Sequence, residues 1–189
     1  MKRIFLFLLT ALITLASFAQ DNSQRIISQI NDAAAKLNTM QCNFTQTKTV
    51  KLLNEKMVSK GRMHYQQPNK LRWEYTTPYT YTFILNDSKV SLRKNSRHDV
   101  IDINQNKMFR EIGRIMLSSV TTKSRQKTMD LPLSRQMKAM YKRIVLHFNQ
   151  KTSLVERVVM YEKNGDTTDI ELKNVTTNKT IPAAVFAVR

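Results

Sequence analysis

The sequence has little of what most small-molecule chemistry requires. Its 189 residues include three glycines, four prolines, three histidines and one cysteine. Gly61, Gly113 and Gly165 stand far apart. No glycine-rich loop can cradle a phosphate, so Walker and dinucleotide-binding fingerprints are excluded. A lone cysteine, Cys42, excludes an intramolecular disulfide and a multi-cysteine zinc site. It reads as a small buried apolar residue. His64, His98 and His147 fit no metal-ligand spacing, and each reads as a surface or hydrogen-bonded histidine. Asp99 and Asp102, like Asp166 and Asp169, fall at turns or strand edges, where Asp is turn chemistry. No serine stands in a nucleophile-elbow context. These residues leave an enzyme open but unsupported, and they predict no metal site.

What is present is basic charge and apolar pattern. Lys and Arg number 31 against 14 Asp and Glu, giving +17, and 41% of the residues are hydrophobic. That apolar content predicts a folded chain, and about 170 residues can enclose one sizeable core. Met1-Lys2-Arg3 is followed by an apolar run of 13 residues, Ile4 to Ala16, and then by Ser17-Phe18-Ala19. This is the layout of a secretory signal peptide over 1–19, with cleavage after Ala19. A membrane anchor would need about 20 apolar residues. Residues 20–189 are then one exported domain, which begins at Gln20 and carries +15 after losing Lys2 and Arg3. A basic protein usually suggests nucleic acid, but an exported one meets anionic lipid, envelope polymers or acidic partners instead.

Asp21–Leu37 reads as an amphipathic helix with Ile26, Ile30, Ala33 and Leu37 on one stripe. Strand patterns follow from Cys42 to about Gln66, with Cys42, Phe44 and Gln46 sharing a face. Leu71, Trp73 and Tyr75 alternate with Arg72 and Glu74, and Tyr79, Tyr81, Phe83 and Leu85 alternate with Thr80, Thr82 and Ile84. A second helix is predicted over about 104–120, with Asn104 as its cap. Its stripe of Met108, Ile112, Ile115 and Met116 opposes Arg110, Glu111 and Arg114. Thr121 to Met129 reads as a loop and Leu133 to Tyr141 as a short helix. Strands follow at Ile144–Phe148, Val155–Glu162, Thr168–Asn174 and Ala184–Val188. Asn164-Gly165-Asp166 is a hairpin signal between two of them. Nine of the ten methionines lie beyond the signal peptide. They fill a core or, in the 104–120 helix, face an apolar cavity that the helix covers as a lid.

Phe44-x-Gln46, Gly61, Pro68, Leu71-Arg72-Trp73-x-Tyr75 and Pro78 resemble the N-terminal half of the periplasmic outer-membrane lipoprotein carriers (LolA-like). The Asn164–Thr168 run and Ile181-Pro182-x-x-x-Phe186 resemble the C-terminal half, so the likeness spans about residues 24–188. The resemblance implies an α+β fold, an incomplete, unclosed antiparallel β-barrel with helices packed on the concave side as a lid. It implies a periplasmic carrier without chemistry or cofactor. Such a carrier takes acylated lipoproteins from an inner-membrane lipoprotein-release transporter and yields them to an outer-membrane acceptor. It works as a monomer with transient membrane-surface contact and no nucleic acid.

On that fold the cargo cavity is expected to be lined by Phe44, Leu71, Trp73, Tyr75, Tyr81 and Phe83 from the sheet, and by Met108, Ile112, Ile115 and Met116 from the helix. Two departures stand out. Gln67 occupies the place before Pro68 where the family pattern has a lid-latching Arg. The 121–143 segment is also short for the strand or two usual there, which implies a smaller or more open barrel. Two other functions fit the residues. One is a carrier of another amphiphile, such as a glycolipid or lipid-linked product. The other is an envelope enzyme or polymer-binding module using the basic cluster Lys123, Arg125, Lys127, Arg135, Lys138, Lys142 and Arg143.

Overall fold

The computed structural model describes residues 37–188. The signal peptide, the start at Gln20 and all of the Asp21–Leu37 helix except its last residue lie outside the described residues. Leu37 is buried.

Among the described residues ten strands form one antiparallel sheet. They are β1 (Thr39–Val50), β2 (Glu55–Gln66), β3 (Lys70–Thr77), β4 (Tyr81–Asn86), β5 (Lys89–Lys94), β6 (Arg97–Asp102), β7 (Thr128–Asp130), β8 (Tyr141–Phe148), β9 (Val155–Glu162) and β10 (Thr167–Thr177). Their order across the sheet is β6-β5-β4-β3-β2-β1-β10-β9-β8-β7. The first and last strands pair at the centre, and β6 and β7 are unpaired edges. The sheet is thus an incomplete barrel. The helix α1 (Lys107–Thr121) joins these two edge strands in the chain, so it must cross the open side. A second helix, α2 (Arg135–Met140), leads directly into β8.

Side-chain alternation decides which face is covered. Met40, Cys42 and Phe44 of β1, Met63 and Tyr65 of β2, Leu71 and Trp73 of β3, and Ile144, Leu146 and Phe148 of β8 are all buried in one core. A two-residue period sends Arg62, Arg72 and Glu74 to the other face, where Glu74 pairs with both arginines. Burial pushes the Cys42 thiol up to about 12, consistent with its place as a small apolar core residue. At Gly165, φ is +93°, the left-handed conformation that the turn between β9 and β10 requires.

Several expectations are corrected. Ala184–Val188 is not a strand: Ala183–Phe186 is a 3₁₀ turn. It packs on the outer face of β3 and β4, and Asn86 Nδ2 donates to the Phe186 carbonyl (3.1 Å). Arg72 donates to the Val185 carbonyl (3.4 Å). Phe186 and Ile84 are fully buried as a result, so β4 is covered on both faces. Tyr79 precedes β4 and is half exposed. The cap of α1 is Asn106, whose side chain accepts from the Met108 and Phe109 amides. Asn104 instead donates its amide to Asp102 Oδ1. The 121–129 segment ends in a shortened edge strand, β7, paired with β8. Residues 89–102 form the β5–β6 hairpin.

Candidate functional site: an apolar cavity under the helical lid

Between the concave face and the helices lies a cavity of about 310 Å³. Its floor is an aromatic cluster built by register. Trp73 pairs with Phe83, and Tyr75 with Tyr81, across β3 and β4. Phe44 of β1 lies beneath, stacked on Trp73 (centroids 4.2 Å) and edge-on to Tyr75 (5.2 Å). Such pairs contribute about 0.5–1.5 kcal/mol beyond their buried area and hold the rings in one arrangement. The far wall comes from β9 and β10, where Val158, Met160, Ile170 and Leu172 face inward. The roof is α1, with Phe109, Ile112, Ile115, Met116, Ser119 and Val120, joined by Met137 of α2 and by Tyr141.

Among the described residues, none of the lining side chains carries a charge. The polar atoms present are mostly occupied internally. Tyr75 Oη donates to Gln46 Oε1 (2.8 Å), and Ser119 Oγ donates to the Ile115 carbonyl (2.8 Å). Burial pushes the Tyr75 phenol up to about 12, and burial raises Tyr81 and Tyr141 as well, so all three stay neutral at physiological pH. Such a surface offers dispersion contact and exclusion of water. The solvent face of α1 is tethered: Arg114 pairs with Glu111 (3.2 Å) and donates to the Pro132 carbonyl (3.4 Å). A hydrogen bond from Ser134, then Arg114, holds the Glu111 carboxyl below its usual range.

The structure places the expected residues unevenly. Trp73, Tyr75, Tyr81, Phe83, Ile112, Ile115 and Met116 line the cavity. Phe44 and Leu71 lie on the same face but are packed beneath the lining, 2% and 0% exposed. Met108 belongs elsewhere: it sits in the first turn of α1, 45% exposed and outside the cavity. It stands two residues after the Asn106 cap, at the very N-terminal end of the helix. The far wall was missed, although Ile170 and Leu172 carry the same two-residue alternation as β3; in β9 Val158, Val159 and Met160 form one apolar run that does not show which face lines a cavity. Exposed Gln67 replaces the arginine latch, and its backbone amide donates to the Asn38 carbonyl (2.8 Å). The lid is instead held from its outer side, through Arg114.

The model of the family "Outer membrane lipoprotein carrier protein LolA" matches residues 35–189. The chain belongs to the LolA family. Curated relatives agree. An outer-membrane lipoprotein carrier protein of Legionella pneumophila (strain Lens) is 27% identical over 198 residues, covering 98% of this chain and 94% of that one. One from Methylococcus capsulatus is 32% identical over 75 residues, 40% of this chain and 35% of that one. Among solved structures, a LolA superfamily protein from Nitrosomonas europaea superposes with a TM-score of 0.51 at 9% identity, covering 86% of this chain and 97% of that one. That likeness concerns the fold, an open barrel with a helical lid. LolA-family membership supports a lipoprotein-carrier role for the chain.

Proposed function

We propose that this protein is a periplasmic carrier that ferries acylated lipoproteins from the inner to the outer membrane. The acyl chains are held in the cavity under α1. The observation that carries this reading is the uncharged, largely apolar lining. Moving an acyl chain through water forfeits about 0.8 kcal/mol per buried methylene, so an escort must replace the bilayer with apolar surface. Few hydrogen bonds to cargo also permit release. At about 310 Å³ the cavity lies at the lower end of the roughly 300–1,000 Å³ range of ligand sites. A multiply acylated anchor therefore requires α1 to swing off the sheet. Cargo comes from an inner-membrane release transporter and goes to an outer-membrane acceptor. The signal-peptide layout supports the compartment.

The described lining residues include no charged group to recognise a head group. That favours one second reading, carriage of another single-headed amphiphile such as a glycolipid. The test is titration with a fluorescent fatty-acyl probe, followed by competition with a lipoprotein-type acyl peptide or a glycolipid. Wild type should bind the probe and release it preferentially to the acyl peptide. Ile112→Asp should bind it at least tenfold more weakly, since an unpaired charge at the apolar contact costs several kcal/mol. Circular dichroism first checks that the variant is folded. Equal binding by folded Ile112→Asp removes α1 from the site. Preferential release to the glycolipid favours the second reading. No binding by wild type removes the carrier reading.

A further inference from the structure

One rim of the sheet, an edge formed by strand ends and their connections rather than by an edge strand, carries most of the exposed large apolar side chains. In this topology the β1–β2, β3–β4, β5–β6 and β9–β10 connections and the α2 entry to β8 all lie at that edge. Leu52 is 91% exposed and Leu53 61%, both at the β1–β2 tip, and Met57 and Val58 follow on the same hairpin. Tyr79, Met140 and Tyr161 lie along the same edge. The hairpin also stands proud of its neighbour. β2 begins at Glu55, but its pairing with β3 begins only at Lys60. Five residues of extended chain overhang β3, about 17 Å.

Charge surrounds this apolar point. Lys51, Lys56 and Lys60 on the hairpin are exposed and form no ion pair among the described residues, and Glu55 is the exposed carboxylate beside them. Exposed Lys94, Lys138, Lys142 and Lys163 extend the basic character along the edge. The fold divides the basic cluster seen in the sequence. Lys127 sits at the opposite edge, where its carbonyl accepts from Phe148, whereas Lys138 and Lys142 come to this one.

We infer that this edge docks on an anionic lipid surface, with Leu52 and Leu53 entering the interfacial layer and the lysines on the head groups. Two leucines on a narrow hairpin offer far less area than the roughly 800 Å² per partner of a stable protein interface. An apolar point ringed by cations is what a lipid interface accepts. The inference rests on the outer surface and does not need the cavity's cargo. It does place the lipid at the end of the cavity near Gln46 and Tyr75, since Lys48 and the hairpin continue β1 beyond Gln46.

The test uses the exported chain with one new cysteine, Leu52→Cys or, at the opposite edge, Lys151→Cys, labelled with an environment-sensitive dye. Buried Cys42 should stay unlabelled. The probes are phosphatidylethanolamine/phosphatidylglycerol vesicles and pure phosphatidylcholine vesicles. The label at 52 should shift to the blue on the anionic vesicles and the label at 151 should not. The double variant Leu52→Ser/Leu53→Ser should lose vesicle partitioning on the order of tenfold, with binding of the soluble acyl probe unchanged. No response at 52, or partitioning of the double variant equal to wild type, overturns the inference. A response at 52 only when the vesicles carry envelope protein assigns the edge to a protein partner and overturns it too. Loss of acyl-probe binding in wild type, with the label response intact, would count against the carrier reading alone.

Discussion

Gly61 shows how a single missing side chain shapes the cavity floor. It pairs with Phe44 on one side and Tyr75 on the other, at the point where the β2–β3 register shifts. A Cβ there would come within 3.0 Å of the Phe44 ring and the Glu74 carbonyl. The absent methyl is the space in which the Phe44 ring lies and stacks on Trp73. Gly61→Ala should cost about 1–3 kcal/mol through overpacking, read as a lower urea midpoint. It should also alter the emission of Trp73, the only tryptophan of the chain. An unchanged midpoint and spectrum would contradict this role. On the outer face His64 is half-buried, and no partner for its Nδ1 stands among the described residues. Burial first, then Arg72 and Arg62, lower its pKa from the ordinary 6.5, against the opposing pull of Glu74. Burial alone would raise Glu74, but the Arg72 hydrogen bond and the charges of Arg72 and Arg62 bring it below 4.5. Both groups hold fewer protons folded than unfolded, so stability rises with pH across both windows. The His64 contribution is complete above 6.5 and is lost as pH falls through its lower folded value. The urea midpoint of wild type should drop between about pH 7 and 5, and that of His64→Gln should drop less. An equal drop would assign the acid sensitivity to another group.

At the scale of elements, α1 is both lid and weak point. Its apolar stripe meets the sheet through Ile112, Ile115 and Met116, yet Gly113 lies in its middle. A Cβ at Gly113 would meet only the end of Leu85, at 3.4 Å, an ordinary contact. Gly113→Ala should therefore stabilise the helix by about 0.5–1 kcal/mol, with a higher melting temperature and slower amide exchange in α1. Destabilisation would mean that Leu85 cannot accept the methyl. The strands with one covered face were legible where they alternate, as β3 and the first half of β10 do; β9 was legible as a β-branched apolar run, with Val158 and Val159 buried side by side. The β5–β6 hairpin was harder to read: β5 offers only Val90 and Leu92 in alternation, and in the charge-rich β6 the apolar Val100 and Ile101 are adjacent, so β6 shows no two-residue period. The C-terminal segment reads as a strand because it is short and apolar. It instead covers Ile84 on the outer face, a contact one hundred residues distant in sequence that no local pattern announces. The cavity residues on β3, β4 and α1 were legible for the same reason as their elements. Met108 shares the periodicity of that stripe, but it stands in the first turn of α1, outside the cavity lining.

For the whole molecule, topology explains the lid. With β1 and β10 paired at the centre, the chain must pass from edge strand β6 to edge strand β7, and α1 makes that crossing over the concave face. The result is an apolar cavity roofed by α1 together with Met137 of α2, and none of its described lining residues is charged. A photo-crosslinking residue at position 160, inside the cavity, and one at 151, outside it, test the central claim most directly in cells that export a tagged lipoprotein. The crosslink from 160 should appear with the acylated lipoprotein and vanish when its acylated cysteine is replaced, and 151 should give none. A crosslink from 160 that persists without acylation, or none from 160 with acylated cargo, would contradict the account.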